Sequence, residues 1–138
     1  GYPGESDDDF KHTIDLIEKI RFTNSYSFIF SPRPGTVAAD LELVDKKKSK
    51  ERLKIIQKKL FENQIKKNKS LEGKILNVLV ENKMNDGVKL FGRTEYMTSV
   101  IFEGTTNCIG KIVQIEITSS NQNSLFGTLI ENNKKKVA

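Results

Sequence analysis

Phe10, Ile14, Ile17 and Ile20 recur at helical spacing with Lys11, Asp15, Glu18 and Lys19 outside the stripe, which predicts an amphipathic helix that packs through one face. Ser6 followed by Asp7, Asp8 and Asp9 supplies its start: an N-cap, then acidic side chains where they complement the amide dipoles of the first turn. After Asn24 the period changes. Tyr26, Phe28 and Phe30 alternate with Ser25, Ser27 and Ile29, the period-two pattern of a strand, and Pro32 and Pro34 end it because proline cannot continue a hydrogen-bond ladder. From Lys46 to Lys69 the pattern predicts a long basic helix with Leu53, Ile56, Leu60 and Gln64 on one side and lysines over the rest. Beyond Gly73, strand signals take over at Ile75 to Val80, Val88 to Phe91, Thr98 to Phe102, Lys111 to Ile117 and Ser124 to Ile130. Five short strands separated by Asn85-Asp86-Gly87, Gly92, Gly104, Gly110 and Asn121-Gln122-Asn123 fit a small antiparallel barrel.

A helix followed by a strand, entered from the glycine loop Gly1-Tyr2-Pro3-Gly4, is what one βα unit of a parallel barrel or sheet looks like when separated from its parent. Such a unit cannot bury both faces, so residues 1–40 are expected to be poorly ordered without the rest of that barrel, and the chain reads as a fragment. The helix at 46–69 then reads as a connector, and the polar, lysine-rich end from Asn132, with 134–138 at its extremity, as a frayed tail.

With 138 residues, 36% of them apolar, the chain is too hydrophobic for wholesale disorder, and no stretch reaches the roughly 18 apolar residues of a membrane helix. A cytoplasmic protein without membrane contact is the expectation. Cys108 is the only cysteine and His12 the only histidine; this excludes an internal disulfide and a thiolate set for zinc or an iron–sulfur cluster, so no metal site is expected. Cys108 reads as a small, partly buried hydrophobe. Charge is unevenly distributed. Residues 1–45 carry 4 basic and 9 acidic side chains, residues 46–69 carry 11 and 2, and residues 71–138 carry 8 and 7. The dense central block is a candidate phosphate-contacting surface, or alternatively a solvated linker.

Three stretches taken together, in this order and spacing, resemble the methylthiotransferases of the radical S-adenosylmethionine superfamily. They are Gly1-Tyr2-Pro3-Gly4-Glu5-Ser6 with the acidic helix start, Phe28-Ile29-Phe30-Ser31-Pro32-Arg33-Pro34-Gly35-Thr36-Val37-Ala38-Ala39, and Gly92-Arg93-Thr94 with Asn123-Ser124-Leu125-Phe126-Gly127. The Ser-Pro-Arg-Pro-Gly-Thr segment points to the branch acting on tRNA over the branch acting on ribosomal protein.

The resemblance implies an α+β chain: residues 1–45 as the end of a radical S-adenosylmethionine (βα) partial barrel, 46–69 as the connector, and 70–133 as a TRAM domain, a five-stranded OB-like barrel that binds RNA. It further implies that the whole enzyme uses S-adenosylmethionine and two 4Fe-4S clusters, with the cluster ligands absent from this chain. Implied partners are a tRNA anticodon stem-loop and an electron donor, and the protein is expected to be monomeric and inactive as the fragment alone. No catalytic residue is assigned within it. Gly4 and Glu5 match a glycine loop near the adenosyl part of the cofactor, the alternative being a loop needed only to launch the acidic-capped helix. Arg33, with a planar fork suited to a phosphate or purine edge, is a substrate candidate, its rivals being an ion pair with a nearby acid such as Asp40 or a plain turn role between two prolines. In the barrel, Arg93 is the leading RNA contact, helped by Lys74, Lys89 and Lys111, and Tyr96 can stack on an unpaired base or pack on the barrel. Glu95-Tyr96-Met97-Thr98 and Phe126 stand where relatives carry further polar or basic residues, which weakens the electrostatic grip of the barrel. Two other readings stay open: a free-standing basic RNA-binding TRAM module, and the relative that acts on ribosomal protein.

Overall fold

The computed structural model describes residues 1–85 and 87–130. Two compact units, Gly1–Gln64 and Ile65–Ala138, meet within one helix.

In the first unit, helix α1 (Asp7–Ile20) begins at the predicted cap: Asp9 N–H donates to Ser6 Oγ at 3.1 Å while Asp9 Oδ2 accepts from Ser6 N–H at 2.9 Å. Each group satisfies an end of the helix that has no internal partner. Arg21, at φ 55°, closes the helix through an N–H bond to the Ile17 carbonyl. The second helix, α2, spans Lys46–Lys69 and is more than a connector, since its residues up to Gln64 belong to the same unit as α1. Its shielded side runs through Ser49, Arg52, Leu53, Ile56, Leu60, Asn63 and Gln64, and it meets α1 near the start of that helix through Arg52 and near its end through Lys59 and Asn63. Arg52 meets Phe10 with its guanidinium 5.2 Å from the ring centroid, Lys59 pairs with Glu18, and Asn63 Nδ2 approaches the Ile17 carbonyl at 3.4 Å. Ile17 is the buried centre of α1.

The strand expected over Tyr26, Phe28 and Phe30 does not form. Its alternation survives as Ser27 and Ile29 turned partly inward with Tyr26 90% and Phe28 81% exposed. No neighbouring strand is present among the described residues of this unit, so the backbone has no ladder to join and the period-two pattern lacks a sheet. The βα barrel unit expected for residues 1–45 is therefore absent from the described structure. A 3₁₀ turn at Val37–Asp40 is the only regular element between the helices.

The second unit contains strands β1 (Ile75–Lys83), β2 (Lys89–Thr94), β3 (Ser99–Glu103), β4 (Ile112–Ser120) and β5 (Ser124–Leu129), with a 3₁₀ turn at Thr106–Cys108. They close into a barrel in the order β1-β2-β3-β5-β4. All five strands fall where alternation placed them, but the barrel is mixed, because β3 and β5 pair in parallel, Ile101 opposite Phe126. Hydrophobic alternation fixes which face of a strand is buried and carries no information about the direction of its neighbour. Inward positions Val78, Val80, Leu90, Val100, Phe102, Ile115, Ile117 and Leu125 form the core, and Cys108 packs against it half-buried.

Two glycines allow closure. The β1–β2 register shifts between Val80 and Asn82, with Gly92 opposite Val80; the β4–β5 register shifts between Ile117 and Ser119, with Gly127 opposite Ile117. At both, a Cβ would lie well inside 3.0 Å of a backbone carbonyl oxygen, Leu79 at the first and Glu116 at the second. A β-bulge with a glycine facing it bends each strand pair sharply enough for a five-stranded sheet to close. The expected tail at 134–138, and residues 131–133 at the end of the predicted barrel domain, lie outside the described residues.

Candidate nucleic-acid interface

Alternation on the barrel places Lys89, Phe91 and Arg93 of β2 on the outer surface, each opposite an outward residue of β3: Glu103, Ile101 and Ser99. The parallel pairing extends the rows to β5, with Phe126 beside Ile101, Thr128 beside Glu103 and Ser124 beside Ser99. The middle row, Phe91–Ile101–Phe126, is thus a continuous apolar band running across three strands, and each of its members is half-buried. Neighbouring strands lie about 4.8 Å apart, so the band is about 10 Å wide. Beside it is a cleft of about 360 Å³ lined by Lys89, Ile101, Glu103, Thr118, Phe126 and Thr128.

Arg93 edges this band. Its guanidinium carbon lies 5.2 Å from the centroid of the Phe91 ring, its Nε donates to Glu81 at 3.3 Å, and its Nη1 donates to the Met97 carbonyl at 3.2 Å. The long Glu81 contact is an ion pair about one-third exposed on both sides, which holds the fork in place while part of it faces water. Its bond to Met97 braces the β2–β3 turn, where Met97 sits at φ 61° and Tyr96 is 65% exposed. That turn borders a smaller groove of about 170 Å³, lined by Lys67, Leu71, Ile75, Thr94 and Tyr96 among others.

The five predicted barrel contacts do not converge. Arg93 and Tyr96 share one end of β2, and Lys89 stands at the other end of the same outward face, about 13 Å away along the strand. Lys74 precedes β1, and Lys111 precedes β4, where its carbonyl accepts from Val80 N–H at 3.0 Å. All three lysines are exposed. The Phe91–Ile101–Phe126 band was not anticipated as a site. Its signal was present in the alternation of Lys89-Leu90-Phe91-Gly92-Arg93, which puts an aromatic between two cations on one face, but joining it to Phe126 requires the parallel β3–β5 pairing.

In the first unit, Gly4 takes φ 82° with open space around it. Glu5 is engaged: Arg52 Nη1 donates to its Oε2 at 2.6 Å and to its backbone carbonyl at 3.0 Å. Arg52 Nη2 donates to Asp7 Oδ1 at 2.6 Å, and Lys48 Nζ lies 2.8 Å from the same oxygen. Hydrogen bonds from Lys48 and then Arg52 hold the Asp7 carboxyl below the usual carboxylate range. Arg33 is exposed and forms no ion pair with Asp40; its carbonyl accepts from Thr36 Oγ1 at 2.8 Å and Thr36 N at 3.2 Å, which fixes the turn between the two prolines. No grouping of three or more histidine, cysteine, aspartate or glutamate side chains suited to a metal occurs among the described residues. With a single cysteine besides, the residues present do not fit an iron–sulfur cluster. No helix among the described residues is long and apolar enough to cross a membrane.

A closed five-stranded barrel with parallel β3–β5 pairing is the OB arrangement, whose β2–β3 face is a common nucleic-acid surface. Residues 69–130, which include all five strands, match the TRAM domain family. Along its whole length the chain is a relative of proteins named tRNA-2-methylthio-N(6)-dimethylallyladenosine synthase: it is 77% identical over 138 residues to the one from Pelagibacter ubique, 45% over 131 residues to that of Ruthia magnifica, and 42% over 132 residues to that of Yersinia enterocolitica. These alignments cover 100%, 94% and 94% of the chain. The chain spans about a third of the length of these relatives, 31%, 30% and 28% respectively, and matches their carboxy-terminal part.

Proposed function

We propose that this chain is the tRNA-gripping part of a cytoplasmic tRNA methylthiotransferase that adds a 2-methylthio group to dimethylallyladenosine beside the anticodon. The carrying observation is the Phe91–Ile101–Phe126 band edged by Arg93 on the outer face of an OB-type barrel. Aromatic faces accept any unpaired base by stacking, and a cation beside them holds the adjoining phosphate. Unpaired bases occur in an anticodon loop and not in a regular duplex, so this surface suits the loop. The relatives' names support the tRNA branch over the ribosomal-protein branch.

In the complete enzyme, S-adenosylmethionine and iron–sulfur clusters supply the radical that activates the adenine ring, with electrons from a separate donor. No step of that chemistry is assigned to residues of this chain. Its part is to bind and orient RNA, acting as a monomer. Lys89 extends the barrel surface toward phosphates at the far end of β2, while Lys74, Lys111 and Tyr96 serve as peripheral contacts. Arg33, free of Asp40, is available to a phosphate or purine edge, and Gly4 leaves its loop open for close backbone approach. Glu5 acts through Arg52 to fix that loop.

The test is binding of the chain to an unmodified anticodon stem-loop and to the same stem closed into a fully paired duplex. The double variant F91L/F126L keeps apolar bulk but removes both π faces. Stacking contributes about 1–3 kcal/mol per base, so affinity for the stem-loop is expected to fall by roughly 5-fold to 150-fold or more, with little change for the duplex. Unchanged stem-loop affinity in a variant with wild-type thermal stability refutes the barrel face as the site.

A further inference from the structure

We infer that the outer face of α2 is a second, independent RNA contact, a lysine row that grips the phosphate backbone. The inference rests on the RNA-binding reading of the chain and concerns a surface outside the barrel.

Between Lys47 and Lys59 the cations of α2 fall into two groups. Lys48, Arg52 and Lys59, on or beside the shielded side, pair with Asp7, Glu5 and Glu18. Lys47, Lys50, Lys54 and Lys58 lie opposite, all exposed, and none has an ion-pair partner among the described residues. Intervals of three and four residues put them on one stripe, with Lys50, Lys54 and Lys58 stepping about 6 Å along the axis each time. The stripe extends for about 16 Å and its step is comparable to that between successive phosphates of a nucleic-acid strand.

An ordinary solvated helix interleaves opposite charges at i,i+4, which stabilises it. Here successive members of the row repel one another, and Glu51 and Glu62, the only acids of α2, form no ion pair among the described residues. A polyanion laid along the stripe removes that repulsion and releases its own counterions. Of the large apolar side chains exposed on α2, Ile55 stands apart, and Phe61 and Ile65 lie four residues apart toward its end; one such pair falls short of the continuous apolar face that a helix lying in a membrane interface needs. The row therefore fits RNA better than lipid.

The experiment uses the full chain with K47Q/K50Q/K54Q/K58Q. Glutamine is about as good a helix former as lysine and lacks the like-charge repulsion, so the helical signal in circular dichroism should be retained and the thermal midpoint should not fall. Affinity for the unmodified anticodon stem-loop is measured from 50 to 200 mM salt beside the wild type and F91L/F126L. Each lost duplex phosphate contact lowers the slope of log K against log salt by about 0.9. Four contacts give a slope lower by about 3.6, so the wild-type advantage at 50 mM shrinks by about 150-fold at 200 mM. F91L/F126L should weaken binding with the slope retained. An unchanged slope in the lysine variant overturns the inference and leaves the barrel reading standing if the phenylalanine variant binds weakly. A reduced slope beside a phenylalanine variant that binds normally removes the barrel reading and keeps the lysine row. Lysine-dependent binding to phosphatidylglycerol vesicles or to polyglutamate, with none to RNA, also overturns it.

Discussion

Gly127→Ala adds one methyl group at a point where the barrel has no room for it. The new Cβ would fall well inside 3.0 Å of the Glu116 carbonyl oxygen and also against Ile115 Cγ2. Ile115 is fully buried in the core, and Glu116 is held in the β4 ladder, so neither obstacle is the free end of a flexible side chain. Gly127 is not among the positive-φ residues, and the cost is therefore steric. Overpacking in a well-filled interior costs about 1–3 kcal/mol. Because the clash is with backbone across a bulge, the upper end is expected, about 3 kcal/mol. For a domain of this size each kcal/mol moves the thermal midpoint by about 4–8 °C, so the barrel transition should drop by roughly 12–24 °C. The control is Gly110→Ala, at φ 78° with nothing within 4 Å of the added carbon; its cost is confined to the backbone, about 1–2 kcal/mol. Circular dichroism melts and urea titrations of the two variants provide the comparison. A Gly127→Ala midpoint equal to or above that of Gly110→Ala would contradict the reasoning, since it would mean that β4 and β5 can separate at the bulge without loss.

Asn68, 2% exposed, donates from Nδ2 to the carbonyls of Asn121 and Gln122 at 2.8 and 3.0 Å, so Asn68→Ala leaves two acceptors to find water and should lower urea stability by about 1–3 kcal/mol. Asn68→Asp should be no rescue, because a carboxylate cannot donate to those carbonyls. For pH, the folded-state pKa of Asp7 is depressed by hydrogen bonds from Lys48 and Arg52. Its contribution is therefore present above the ordinary aspartate range and is lost as pH falls through the depressed value. The stability difference between wild type and Asp7→Asn, followed by helix signal in urea, should be constant near neutrality and vanish on acidification; a difference that persists in strong acid would locate the effect elsewhere. Lys59, raised by its bond to Glu18, works in the opposite sense, contributing at neutral pH and losing its contribution as pH rises through its elevated value.

Local physics made much of this chain readable from its residues. The Ser6–Asp9 capping box, the extent of α2 and the five barrel strands follow from cap chemistry, helical spacing and two-residue alternation, each of which acts within a few neighbours. The charge block at 46–69 and the motif residues Gly92, Arg93 and Gly127 were likewise visible in one dimension. The tertiary structure decided what depends on a partner distant in sequence. Tyr26, Phe28 and Phe30 have the pattern of a strand, yet no strand forms without a neighbour to complete its ladder. Parallel pairing of β3 with β5 lies beyond any alternation rule, and it alone joins Phe126 to Phe91 and Ile101 as one surface. Gly92 and Gly127 proved to be closure points, because only the folded barrel brings a carbonyl against each. Arg93 and Glu5 carried charge that the sequence offered to a ligand; across the fold, Glu81 and Arg52 take up part of it, since opposite charges brought together on partly shielded surfaces bind each other before any ligand arrives.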